Sequence, residues 1–358
     1  MIKDKSIFIK NIYYMLSYAF SVLRQGEYAS IDTEEFDNIH NLFSAILTKG
    51  IGRQLKQGLY REYIGHTEDL PVIRGKIDMR GSIDKRMARK RLVTCEYDEL
   101  SENNLLNQVL KSTVMLLLRQ GNVDKKYKDA LRKEMLFFGN VDLIDISSIR
   151  WSLLQFQRNN QSYRMMIGLC RLIVEGMLQT NEKGEQKLST FIDEQQMSHL
   201  YERFILEFYR QECHGISADA SQIEWMIDDG VKTGLPIMQS DITLSKGNTV
   251  LIIDAKYYTN SMQQHYDAYT VHSGNLYQIF TYVKNKEAEL QGSPHTVSGM
   301  LLYAKTENEH QPDYLYKMGE NKIEVKTLDL SQEFSAISKS LKKIACDYFP
   351  MVAISTGS

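Results

Sequence analysis

The sequence has 358 residues and carries 43 Lys and Arg against 45 Asp and Glu, a net charge of −2. That length suits two domains, since single cores rarely grow beyond roughly 250–300 residues, and the charge balance argues against a surface coated in nucleic acid while leaving room for a local basic groove. The four cysteines, Cys95, Cys170, Cys213 and Cys346, form no C-x-x-C pair, which argues against a zinc or disulfide framework and fits a reducing cytoplasm.

The opening residues, MIKDKSIFIKNIYYML, mix charges with apolar residues and lack a small-residue cleavage site, so they do not read as a signal peptide. No stretch reaches the roughly 18–20 apolar residues of a membrane span. Helical spacing predicts a helix over 11–23, with Asn11 as its cap, and a second from Phe36 to Ile51. Residues 57–64 and 71–79 read as extended, the latter bent at Arg74-Gly75-Lys76. A strand over 91–97 precedes an amphipathic helix running from Ser101, its expected cap, to Leu118. A helical piece follows near 124–136. A boundary is expected near residue 157, in the polar QRNNQS stretch, giving an N-terminal domain of 1–157 and a C-terminal domain of 158–358.

The second half reads as a helix over 163–178, a polar loop or hairpin at 181–189 and a helix over 197–212. Strands follow at 221–227, 236–244 and 249–255, then a helix starting near Ser273. Strands at 297–304, 313–317 and 321–328 and a helix over 332–348 complete the chain. That order predicts an α/β fold: a mixed α+β N-terminal domain, then a central mixed sheet flanked by helices.

The chemistry concentrates in LPIMQSDITLSKGNTVLIIDAKYY, residues 235–258. Two strands flank the turn Ser245-Lys246-Gly247-Asn248, whose residue types suit a hairpin. Asp241 is placed on the first strand. On the second, Val250 to Ile253 form a buried run that ends in Asp254-Ala255-Lys256. Charges directly after an apolar run are costly unless they have partners or reach a cleft. Asp254 and Lys256 are two apart and so share a strand face, and a hairpin register can set Asp241 beside Asp254. Two such carboxylates repel unless a proton or divalent cation neutralises them, and oxygen-only ligands favour Mg²⁺ or Mn²⁺ over zinc.

This constellation resembles the PD-(D/E)XK nuclease superfamily, with Asp241 as the first acid and Asp254-Ala255-Lys256 as the second motif. Ser240 stands where that family often has proline. Gln278 and Tyr282, in QIFTY, look like the Gln-xxx-Tyr motif of the RecB-like branch, and their i,i+4 spacing puts both on one helix face. The chain also resembles the McrC family, nuclease subunits of McrBC-type modification-dependent restriction systems. The likeness runs through NIYYMLSYAF, VIRGKI (72–77), SENNLLNQVLKST (101–113), LYERFILEFY, LIIDAKYY and GNLYQIFTYV (274–283) in family order.

The resemblance implies a Mg²⁺- or Mn²⁺-dependent endonuclease acting on double-stranded DNA. Asp241, Asp254 and the Ala255 carbonyl would hold the metal, with Glu202 completing the site and Glu207 as second choice. Lys256 would orient the water and stabilise charge, Gln278 would position Lys256 or the water, and Tyr282 would lie near DNA. It also implies an N-terminal domain docked to a McrB-like AAA+ GTPase ring that recognises methylated DNA. The chain itself lacks G-x-x-x-x-G-K-[ST], since Gly75-Lys76 is followed by Ile77, so it is expected to bind no nucleotide of its own.

Other features carry weaker readings. Arg74 and Lys76 on the Gly75 bend either reach a partner's nucleotide pocket or are exposed strand charges. The run Lys85, Arg86, Arg89, Lys90, Arg91 reads first as a solvated face. Tyr13, Tyr14 and Tyr18 suit core packing or an interface. His265 and His272 read as loop residues. Two other functions fit the same motifs: a stand-alone RecB-like repair nuclease, and a non-catalytic GTPase-activating assembly subunit.

Overall fold

The computed structural model describes residues 3–4, 7–24, 28–32, 34–157, 160, 162–180, 186–189, 192–258, 262–265, 268–305 and 311–350. Residues 181–185 of the expected polar loop, residues 158, 159 and 161 of the expected boundary, and the His265 side chain lie outside that set. The chain divides into two compact units. One comprises Met1–Leu42, Glu175–Gln179 and Ser189–Ser358, the other Phe43–Val174 and Thr180–Leu188. The first 42 residues therefore belong with the C-terminal half, whereas the sequence reading draws one cut near 157.

Side-chain chemistry explains that grouping. Helix α1 (Ile9–Ala19) contains Asn11 rather than starting at it. Asn11 is buried and donates to the carbonyl oxygens of Leu330 and Gln332 at 2.8 and 2.7 Å. Tyr14 stacks on Phe334, and Tyr18 packs on Phe204 and Phe208 while donating to Glu212. Hydrophobic period reveals that a helix is amphipathic but not which distant residues will cover it.

The other unit holds helix α2 (Ile39–Gln57), which straddles the division, and a three-stranded antiparallel sheet. Its strands are β1 (Glu62–Leu70), β2 (Lys76–Ile77) and β3 (Val93–Ser101), with β3 central. Gly75 has φ +67°, and a Cβ there would stand 2.5 Å from the Glu96 carbonyl oxygen, so the bend needs glycine. The extended reading of 71–79 holds only for two residues. Asp78 instead caps helix α3 (Met79–Met87), accepting from the amides of Arg80 and Gly81. Helix α4 (Leu105–Arg119) is capped by Asn104, not Ser101, which ends β3. Helices α5 (Lys125–Met135) and α6 (Tyr163–Met177) follow. Tyr163 donates to Asn107 of α4 at 2.7 Å, and Asn107 donates to the Tyr60 carbonyl at 2.9 Å, closing this core with polar bonds.

The first unit carries a six-stranded mixed sheet flanked by helices. After helix α7 (Glu194–Glu212) come the short strands β4 (Ser217–Asp219), β5 (Gln222–Ile223) and β6 (Met238–Gln239). Then follow β7 (Ile242–Lys246), β8 (Thr249–Lys256), helix α8 (Ser273–Glu289) and β9 (Thr296–Ala304). Strands β10 (Tyr314–Met318) and β11 (Asn321–Leu328) and helix α9 (Phe334–Tyr348) end it. The sheet order is β10-β11-β9-β8-β7-β4. Strands β8, β9 and β11 run parallel, and the outer pairings are antiparallel.

Parallel neighbours need a crossover, and α8 supplies the one between β8 and β9. Ile279, Tyr282 and Val283 of α8 pack with Ile252, Leu301, Ile323 and Val325 of the sheet. Gly299 permits the close approach: a Cβ there would lie 2.8 Å from both Ile279 Cγ1 and Val283 Cγ2. We expect Gly299→Ala to lower stability by about 1–3 kcal/mol through overpacking. Urea denaturation at constant m-value measures this; an unchanged midpoint would show that α8 has room to spare.

Candidate active site at the end of the central hairpin

The β7–β8 hairpin pairs Ile242 with Ile253 and Lys246 with Thr249, so continuing its register sets Asp241 opposite Asp254. Asp241 itself is not in the ladder, contrary to the sequence reading. The strand breaks at Ser240, which is buried and hydrogen-bonded to Ser221 and Thr243. Beyond the break the Asp241 carboxylate takes over the pairing, and its Oδ2 accepts from the Ala255 amide at 2.9 Å. The first acid is thus fixed to the backbone between the second acid and the lysine.

Asp254 is 1% exposed, and among the described residues neither of its carboxylate oxygens accepts a directed hydrogen bond. Lys256 Nζ stands 2.9 Å from Asp254 Oδ1, an ion pair in distance but without hydrogen-bond direction. Burial pushes the Asp254 carboxyl up to about 8; the ammonium opposes this and the Asp241 carboxylate adds to it. Burial would lower Lys256, but the Asp254 carboxylate outweighs it and holds the ammonium above its ordinary range.

Glu202 on α7 joins this electrostatic group. Burial raises its carboxyl, and the charge of Asp241 raises it further. It accepts from Ser198 at 3.0 Å and lies 3.6 Å from His199 Nδ1. Glu207 faces elsewhere, held by Arg210 at 2.8 Å. Among the described residues no three of His, Cys, Asp and Glu stand close enough to cage a metal on side chains alone. A Mg²⁺ ion would keep several waters and take one or two carboxylates. The two orphaned oxygens of Asp254, with Asp241 opposite, fit such an ion.

Gln278 and Tyr282 share a face of α8, but they bond to each other: Gln278 Nε2 donates to the Tyr282 hydroxyl at 2.9 Å. Tyr282 is buried in the core under the sheet. Among the described residues no hydrogen bond joins Gln278 to Lys256. Three polar residues that the sequence reading passed over do surround the lysine's end of the sheet: Tyr258, Asn275 and Tyr303. Their signal was slight, a tyrosine closing an apolar run and an asparagine three residues before Gln278. His272 precedes α8, with its ring 5.5 Å from that of Tyr258.

A family model described as a McrBC 5-methylcytosine restriction system component matches residues 4–304. The chain belongs to this family. It is 28% identical over 344 residues to the Escherichia coli (strain K12) protein called type IV methyl-directed restriction enzyme EcoKMcrBC, covering 95% of this chain and 97% of that one. Its fold matches, with a TM-score of 0.52 and 20% identity, a chain of the half-complex from a tetradecameric assembly of Thermococcus gammatolerans McrB AAA+ hexamers with bound McrC, covering 95% of this chain and 75% of that one. Among the described residues of this family member, no helix is long and apolar enough to cross a membrane.

The buried acid makes a pH prediction. A carboxyl raised in the folded state binds more protons there than in the unfolded chain, so stability falls as pH rises from about 4, the unfolded value, towards about 8. Asp254→Asn cannot ionise. In EDTA the variant should melt higher than the wild type at pH 8.5, and the gap should shrink towards pH 5. A variant melting lower at pH 8.5 would show that the carboxylate is satisfied in the metal-free fold.

Proposed function

We propose that this family member is the Mg²⁺-dependent endonuclease subunit of a GTP-driven, modification-dependent restriction complex. The observation that carries the reading is the buried Asp254 carboxyl, set opposite Asp241 by the hairpin register and with the Lys256 ammonium 2.9 Å away. Asp241 and Asp254 would hold Mg²⁺ or Mn²⁺, joined by the Ala255 carbonyl and, through a bound water, by Glu202. When bound, the cation supplies Lewis-acid polarisation of the phosphate and lowers the pKa of water.

The chain's own residues do the rest. The Ala255 amide keeps Asp241 from swinging away. Lys256, on the same strand face as Asp254, points its ammonium at the place where a scissile phosphate would sit. There it orients the attacking water and offsets the charge that builds on the phosphate as the phosphodiester bond breaks. Gln278 would join them only by leaving Tyr282. Tyr282 is better read as core than as a DNA contact, given its burial.

The partner is proposed to be a McrB-like AAA+ GTPase ring on methylated double-stranded DNA, as the Thermococcus assembly contains AAA+ hexamers with bound McrC. The sheet of β1, β2 and β3 with α3 supports a docking role. Helix α3 buries no residue, and Val72, Ile73, Met79, Ile83 and Met87 are all exposed. A cluster of exposed large apolar residues in one small region commonly marks an interaction site. Arg74 lies over the Tyr97 ring and pairs with Glu99, and Lys76 pairs with Glu96, so both charges are displayed on a firm support. These two would stimulate the GTPase.

Asp254→Ala and Lys256→Ala should each cut methylated DNA at least on the order of 100-fold more slowly while still binding the ring and stimulating GTP hydrolysis. The Arg74→Ala, Lys76→Ala pair should do the reverse to GTP hydrolysis, weakening stimulation without unfolding the sheet unit. Gel cleavage and phosphate-release assays on the co-purified complex read both. Normal cutting by both site variants would remove the site from Asp254 and Lys256.

A further inference from the structure

Lys256 ends β8 and is the register partner of Tyr303 on the adjacent parallel strand β9, so the two side chains leave one sheet face side by side. Tyr258 follows two residues later, its ring centroid 6.3 Å from that of Tyr303. Asn275, on the first turn of α8, ties these phenols together. Its Nδ2 donates to the Tyr303 hydroxyl at 2.9 Å, and its Oδ1 accepts from the Tyr258 hydroxyl at 3.5 Å. Tyr303 is fully buried and Asn275 nearly so.

Polar groups at this level need a reason. Along the same face, Leu301 and Ile252 show that the sheet under α8 is apolar apart from Asp254 and Lys256. Phenylalanine and leucine would fill the places of Tyr303 and Asn275 without hydroxyl or amide to desolvate. A buried polar network, when satisfied, specifies one geometry. The geometry needed here is that of a lysine, whose four-carbon stem carries up to roughly 2 kcal/mol of rotamer entropy. The spacing of the helix is also fixed: Ile279, one turn after Asn275, rests on Gly299.

We propose that Asn275 is a positioning residue, locking the phenols of Tyr303 and Tyr258 around the stem of Lys256 and so fixing where its ammonium stands beside Asp254. The role rests on the hydrolytic reading above. It places Asn275 and Tyr303 outside the reacting atoms, acting through Lys256.

The test uses Tyr303→Phe, Asn275→Leu and the double variant. In the full chain complexed with its GTPase ring, each single change should lower kcat for methylated DNA by about 10- to 100-fold, the scale of a misplaced catalytic group. KM for DNA should stay within about twofold, and the double variant should be no slower than the slower single one, because both remove one shared lock. A second readout needs no metal. In the isolated chain in EDTA, labelling with an amine-reactive ester and peptide mass spectrometry should show Lys256 reacting several-fold faster in both variants, with Lys317 unchanged.

Folded variants that cut at the wild-type rate and label Lys256 no faster would overturn the lock. So would a loss of activity accompanied by a lower melting temperature and unchanged labelling, which marks a structural staple. If Asn275→Leu fails to fold, Tyr303→Phe, one oxygen smaller, decides alone. Normal cutting by Lys256→Ala would sink the hydrolytic reading instead, and the labelling result would still decide whether the lock exists.

Discussion

A carboxyl group buried inside a sheet is among the most costly groups for a fold to ionise. Asp254 is such a group, and the elements around it make sense as ways of putting it there and keeping it chargeable. The apolar run Val250 to Ile253 buries the strand that delivers it. The hairpin register brings Asp241 opposite. The break at Ser240 releases Asp241 from the ladder, so that its carboxylate rather than its backbone meets the Ala255 amide. Lys256 supplies one positive charge, which offsets only part of two negative ones. The remaining deficit is what the proposed divalent cation would offset.

The parallel half of the sheet gives this arrangement its stiffness. A crossover helix can sit close over β8 and β9 only where a glycine lets it, and Gly299 is that place. The same closeness brings the first turn of α8 to the strand ends, where Asn275 meets Tyr303 and Tyr258. Packing in the middle of the helix therefore sets polar geometry at its start. The exposed β1–β3 sheet follows the opposite logic. It buries little of its surface and keeps large apolar and charged side chains on display, which is what the proposed docking role requires.

Much of this was legible in the sequence, for physical reasons. A buried strand ending in charges breaks the ordinary pattern, so Asp254 and Lys256 stand out by themselves. Strand period two then fixes their common face, and the turn residues at 245–248 fix the hairpin. Long amphipathic helices such as α4 and α8 were equally plain. What escaped depended on contacts between distant positions. Asn11 looks like a helix cap, yet its amide is spent on Leu330 and Gln332. The stretch 71–79 has strand-like residues, yet Asp78 caps a helix there. Gln278 and Tyr282 have the spacing of a motif, but spacing cannot reveal that the glutamine bonds to its own neighbour. Asn275 and Tyr303 carry only a slight local signal, since their meaning comes from a parallel register set by a crossover.

The central claim is that Asp241 and Asp254 together bind a divalent cation. Mn²⁺ binding to the purified chain, followed by electron paramagnetic resonance, addresses it without any partner or DNA. Loss of free Mn²⁺ signal corresponding to a site in the wild type, and its disappearance in both Asp241→Asn and Asp254→Asn, is the result expected. Equal Mn²⁺ uptake by the wild type and both variants, or none by the wild type, would contradict it.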